Sequence, residues 1–191
     1  MFPLSFEEYE GIKKFYGKKI ASDRQEELQN YILEGGFPRT IQLENIAAKR
    51  RYVQSVIEEI FEKDIRRRLK IRNKNTFETV QKYIINNFAA TTSLKSLKKA
   101  IEQNGTAISE ATIARYVKAL LDAKILCECP RFDMKSKKSL SGEKKYYLAD
   151  TAFYFAQNTD NRINFGPVLE NITYIYAKSH DYSVAVGRIG K

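Results

Sequence analysis

Between Thr76 and Leu121 apolar residues recur at three- and four-residue steps, and after Lys124 that period is lost. The runs that follow, ILCECPRF and KKYYLAD, are strand-like. This switch constrains the fold more than any other feature. A helical stripe and a pleated face place different residues on the core side, so neither pattern can substitute for the other. Three helices precede the switch. TFETVQKYIINNFAA starts at a Thr76 cap, with its stripe at Phe77, Val80, Ile84 and Phe88. SLKSLKKAIEQNG takes Ser93 as cap, buries Leu94, Leu97 and Ile101, and stops at Gly105. ISEATIARYVKALLDAKIL takes Ser109 as cap, has Thr112 at the third helical position, and turns Ile113, Tyr116, Val117, Leu120 and Leu121 inward. The polar, lysine-rich stretch DMKSKKSLSGE joins the two strands and predicts a hairpin. Three short helices followed by a hairpin is the order of a winged helix-turn-helix.

That order predicts contact with DNA. The third helix enters the major groove in such proteins, and the hairpin loop tracks phosphates. The candidate residues are Thr112, Arg115 and Lys118 on the helix, with Lys135, Lys137, Lys138, Lys144 and Lys145 in or beside the loop. Arg115 is able to fork onto guanine, and Thr112 reaches a base or phosphate. Glu110 and Asp122 oppose that field, which points to sequence-independent binding through the loop lysines. Between Arg131 and Lys145 there are six basic residues against two acidic, within a chain of net charge +10. The competing expectation is a protein-interaction adaptor whose lysines meet an acidic protein surface.

The first third of the chain reads as helical. Ser5 caps a helix before Glu7 and Glu8, Asp23 caps residues 23–34, and Gly35 or Gly36 ends that helix ahead of Pro38. A long amphipathic helix follows, with Ile46, Val53, Val56, Ile57, Ile60, Ile65 and Leu69 on one face. No apolar run approaches the ~20 residues of a membrane span, and no signal peptide is visible, so the expected location is cytoplasmic with no membrane partner. Cys127 and Cys129 stand two apart on a strand, which suits neither a disulfide nor, without further ligands, a metal. Ser179, His180 and Asp181 are adjacent, and adjacent residues cannot assemble a catalytic triad.

Five stretches in order carry a family resemblance: YILEGGFPRTI, YVQSVIEEIFEKDIRRRLKIRN, TIARYVKALLDAKIL, KKYYLADTAF and GPVLENITYIYA. Together they resemble the C-terminal half of prokaryotic AAA-type P-loop ATPases, in which the ATPase core precedes domain of unknown function 4143. The resemblance implies that residues 1–75 close an ATPase core and form a helical lid. It places a winged helix at 76–150 and the helix-strand start of a restriction-endonuclease-like α/β module at 151–191. Gly36, Phe37 and Pro38 would lie near nucleotide, and Glu170 would take the acidic position of the nuclease-like helix. The sequence has no G-x-x-x-x-G-K-[ST], so ATP and magnesium are expected of the whole protein and no cofactor or metal of this chain. The expectation is therefore a mostly α, non-catalytic fragment of unknown oligomeric state, cut before its last sheet is complete, with double-stranded DNA or a protein as partner.

Overall fold

The computed structural model describes residues 2–71, 73–133, 138–158 and 160–188. Helix α1 (Phe6–Phe15) opens on a reciprocal cap: Ser5 accepts from the Glu8 N–H, and the Glu8 carboxylate accepts from the Ser5 N–H. Helix α2 (Arg24–Glu34) is capped by Asp23 and ends at Gly35, which adopts φ +76°. Short α3 (Pro38–Gln42) leads to α4 (Ile46–Ile60). The long helix is interrupted near its end, by a π turn at Phe61–Ile65 before α5 (Arg66–Leu69). Its buried residues Val53, Ile57, Phe61 and Ile65 are each four apart. Such a row drifts about 40° per step around an α-helix, and the wider π turn takes up part of the drift at Ile65.

Helix α6 (Lys74–Asn86) starts at Asn73 rather than Thr76, because the Asn73 carboxamide accepts from the Thr76 N–H at 3.1 Å. The chain then makes β1 (Thr91–Ser93), α7 (Leu94–Gln103), α8 (Glu110–Asp122), β2 (Leu126–Asp133) and β3 (Lys138–Leu148). Helix α9 (Ala152–Gln157), helix α10 (Phe165–Ser179) and β4 (Val186–Arg188) complete the described chain. The protein is thus mostly helical with a small mixed sheet of order β1-β3-β2-β4. Strands β1 and β2 both run antiparallel to β3, and β4 runs parallel to β2, pairing Val186 with Arg131. The strand at 186–188 therefore finds its partner earlier in the chain rather than in a sheet of its own.

One apolar cluster runs from Ile32 on α2 through Val53, Phe77 and Leu120 to Tyr147 and Tyr174. It is continuous across residues 75 and 150. Ion pairs fasten the N-terminal helices: Lys13 pairs with Glu27, and Lys49 pairs with Glu34 at 2.5 Å. Glu34 also accepts from the Tyr9 hydroxyl at 2.7 Å. Asp150, buried after β3, accepts from the Gly36 and Ala152 N–H groups at 2.8 Å each and so ties β3 to the end of α2.

Candidate nucleic-acid interface

Helix α7 begins at Ser93, whose hydroxyl accepts from the Ser96 N–H while Ser96 accepts from the Ser93 N–H, both at 3.0 Å. Leu97 and Ile101 are buried, which leaves Lys95 and Lys99 exposed one turn apart on the other side. Gly105 closes the helix at φ +82°, a conformation that suits glycine, with its N–H on the Glu102 carbonyl. After the turn Ser109 caps α8 by accepting from the Thr112 N–H at 3.2 Å. Ile113, Tyr116, Val117, Ala119 and Leu120 face inward, and α7 packs on α8.

The outward face of α8 carries Glu110, Ala111, Arg115, Lys118 and Asp122. Thr112 is half-buried, and its hydroxyl lies 2.9 Å from that of Ser109. Arg115 is exposed, its guanidinium 5.8 Å from the Tyr116 ring centre, and it has no ion pair among the described residues. Lys118 pairs with Asp122 at 3.2 Å. An exposed pair of this kind is worth only ~0.3–0.5 kcal/mol, so Lys118 exchanges partners readily.

The hairpin lysines divide. Lys135 and Lys137 lie outside the described residues, and Lys138 opens β3. Lys144 pairs with Glu128 at 2.6 Å. Lys145, on the opposite face of the strand, pairs with Glu170 of α10 at 2.6 Å, and the Tyr147 hydroxyl donates to the same carboxylate oxygen at 2.6 Å. Tyr147 stacks on Tyr174 with ring centres 4.1 Å apart. Burial, reinforced by Glu170, holds the Tyr147 phenol well above its ordinary range, so it remains a neutral donor. Asn171 closes both backbone groups of Leu148, accepting from its N–H at 2.7 Å and donating to its carbonyl at 2.9 Å. Helix α10 is thereby pinned on the hairpin, and two of the five loop lysines are occupied by carboxylates. Sequence reasoning missed Lys95 and Lys99, although their four-residue spacing opposite Leu97 and Ile101 was the available signal.

The other singled-out residues serve packing. Gly35 and Gly36 lie against neighbours: an added Cβ would stand 2.4 Å from Asp150 Oδ1 at Gly35, and 2.5 Å from the Leu4 carbonyl oxygen at Gly36. Phe37 meets Phe153 and Tyr52 edge-on at 5.5 and 6.4 Å, and Pro38 opens α3. Cys129 is buried with its sulfur 3.6 Å from the Val184 carbonyl oxygen, and burial raises the thiols of both cysteines. Among the described residues no three or more His, Cys, Asp or Glu side chains gather to hold a metal, and no helix is long and apolar enough to cross a membrane.

Residues 25–162 match a family described as "Domain of unknown function (DUF8612)". The chain is 28% identical over 180 residues to "Uncharacterized protein MJ1544" of Methanocaldococcus jannaschii, covering 92% of this chain and 40% of that protein. It is 23% identical over 190 residues to an "Uncharacterized protein" of Haemophilus influenzae, covering 99% of this chain and 46% of that protein. The chain therefore spans less than half the length of these relatives. No solved structure matches it. These findings correct the resemblance to AAA-type ATPases and to domain 4143: the family matched is a different one. The motifs behind that resemblance are helix stops, caps and apolar stripes, which recur in many helical proteins. In this fold Gly36 and Phe37 pack against protein, and Glu170 is held by Lys145 and Tyr147. The nucleotide-proximal and nuclease-like roles of these residues, and the ATP and magnesium expected with them, rested on that resemblance and lose their basis with it.

Proposed function

The chain belongs to the DUF8612 family, and we propose that in it residues 74–148 form a winged helix that holds double-stranded DNA by its phosphates, without reading sequence. One observation carries the reading. Strand β1, directly between α6 and α7, pairs with β3, so helix, strand, two helices and a hairpin close into one unit. That is the winged-helix order, and the paired β1 distinguishes it from a plain three-helix bundle. The charge distribution supports the partner. Lys95, Lys99 and Arg115 are exposed and free of ion pairs among the described residues. Beyond Arg115 and the Asp122-paired Lys118, the outward face of α8 offers two acids and small Ala111, which favours backbone contact over base readout. The role is binding rather than catalysis.

Fluorescence anisotropy with a labelled ~20 base-pair duplex tests this. Three neutralised phosphates give a log–log salt slope of about −2.7, or a loss of roughly 40-fold between ~50 and ~200 mM salt. Lys95→Ala/Lys99→Ala should reduce the slope by about 1.8, equally for unrelated sequences. Absence of duplex binding at high micromolar protein would remove the proposal. A second reading, a protein-interaction adaptor, is favoured by the exposed apolar residues Phe165, Leu169 and Tyr176 along α10. It predicts indifference to duplexes and loss of a protein partner on Leu169→Asp.

A further inference from the structure

Helix α1 ends in Lys13-Lys14-Phe15 and the chain continues as Tyr16-Gly17-Lys18-Lys19, with the rings of Phe15 and Tyr16 facing water. Phe15 is 83% exposed and Tyr16 46%. Their rings meet edge to face with centres 5.2 Å apart. Tyr16 is held in place, since its hydroxyl accepts from Gln42 of α3 at 2.9 Å and Gln42 is bonded in turn by Arg39. The same segment helps wall a cleft of about 320 Å³, which the two rings do not line, with Lys13, Lys18, Lys19, Asn30 and Lys49 around it. Lys13 and Lys49 are buried and neutralised by Glu27 and Glu34. Lys14, Lys18 and Lys19 have no ion pair among the described residues, and Glu44 is the remaining acid on the cleft wall.

We propose that this is a site for single-stranded nucleic acid, in which unpaired bases stack on Phe15 and Tyr16 and phosphates ride on Lys14, Lys18 and Lys19. Surface aromatics, one of them held by Gln42, interleaved with uncommitted lysines match the two faces of such a strand, because every base has a ring to stack and every linkage a charge. A duplex gains nothing from the rings, since its bases are already stacked on one another. A bilayer is flat, and it would leave the lysine-walled cleft unfilled. The inference is independent of the α7–α8 surface and adds a second class of nucleic acid.

The protein has no tryptophan, so Phe15→Trp places a single reporter at the site. Titration with a labelled ten-residue oligothymidine should quench Trp fluorescence and give a log–log salt slope of about −2. Phe15→Ala should weaken binding at least ~5-fold, and Lys18→Ala/Lys19→Ala should reduce the slope by about 1.4. Phe15 and Lys19 are exposed and Lys18 is half-buried, and circular dichroism checks the fold of each variant. Phe15→Ala should leave the affinity for a duplex unchanged, which separates this site from the α7–α8 surface. Oligonucleotide binding without quenching, binding indifferent to Phe15→Ala, or binding to anionic phosphatidylserine vesicles with none to the oligonucleotide would each overturn the proposal.

Discussion

Gly36→Ala is expected to destabilise the protein by about 3 kcal/mol, an estimate that rests on the hydrogen bonds it would disturb. The added Cβ would lie 2.5 Å from the Leu4 oxygen, 2.8 Å from the Leu4 nitrogen and 2.9 Å from Pro3 Cβ. Two of these three atoms are backbone, so no side chain can rotate away to relieve the overlap. Leu4 is also fixed from both sides: its N–H donates to the Gly36 carbonyl at 2.9 Å, and its own carbonyl accepts from the Tyr31 hydroxyl at 2.8 Å. Moving Leu4 breaks both bonds, each worth about 1 kcal/mol net, and moving Gly36 instead strains its N–H bond to the buried Asp150 carboxylate. Gly11 provides the internal contrast. It sits within α1 with nothing within 4 Å of an added Cβ, so Gly11→Ala should stabilise by about 1 kcal/mol through helix propensity alone. For a chain of this size each kcal/mol moves the melting temperature by roughly 2–4 °C. Thermal unfolding followed by circular dichroism should therefore show Gly36→Ala melting ~6–12 °C lower and Gly11→Ala ~2–4 °C higher. A Gly36→Ala variant within ~1 kcal/mol of the parent would refute the close-packing account of this glycine.

Other changes test the interior. Burial raises the Asp150 carboxyl from 3.8 to about 6, against the two backbone N–H groups that favour its charged form. The folded state then keeps this proton after the unfolded chain has lost it, so the group makes stability fall as pH rises from about 4 to about 6, by roughly 3 kcal/mol. Asp150→Asn removes that dependence; chemical denaturation across this window should show the variant gaining on the parent as pH rises, and parallel profiles would contradict the assignment. Asn171→Ala leaves the Leu148 N–H and carbonyl without partners under α10 and should cost ~2–4 kcal/mol by urea denaturation. A cost below ~1 kcal/mol would mean that water replaces the carboxamide.

Local chemistry was legible in the sequence, and distant chemistry was not. The caps at Ser5, Asp23, Ser93 and Ser109 are satisfied within three residues, so their spacing alone reveals them. The helix stripes are legible for the same reason. Strand β1 is three residues long and exists only because Thr91–Ser93 meets Glu143–Lys145, some fifty positions away. Strand β4 likewise depends on Arg131–Asp133. The candidate site suffered from the same blindness. Lys144 and Lys145 look free in a basic stretch, and only the fold brings Glu128 and Glu170 to them. Gly35 and Gly36 read as a helix stop, which Gly35 is, but the closeness of Leu4 and Asp150 is set by tertiary packing.

Helices α7 and α8 are proposed to present the duplex-binding surface. Lysine acetylation read by mass spectrometry, with and without a saturating duplex, reveals which lysines the duplex covers. The duplex should shield Lys95 and Lys99 while Lys18 and Lys19 keep their reactivity. Unchanged reactivity at Lys95 and Lys99 in a sample shown to have bound the duplex would rule out the α7–α8 surface as the duplex-binding face.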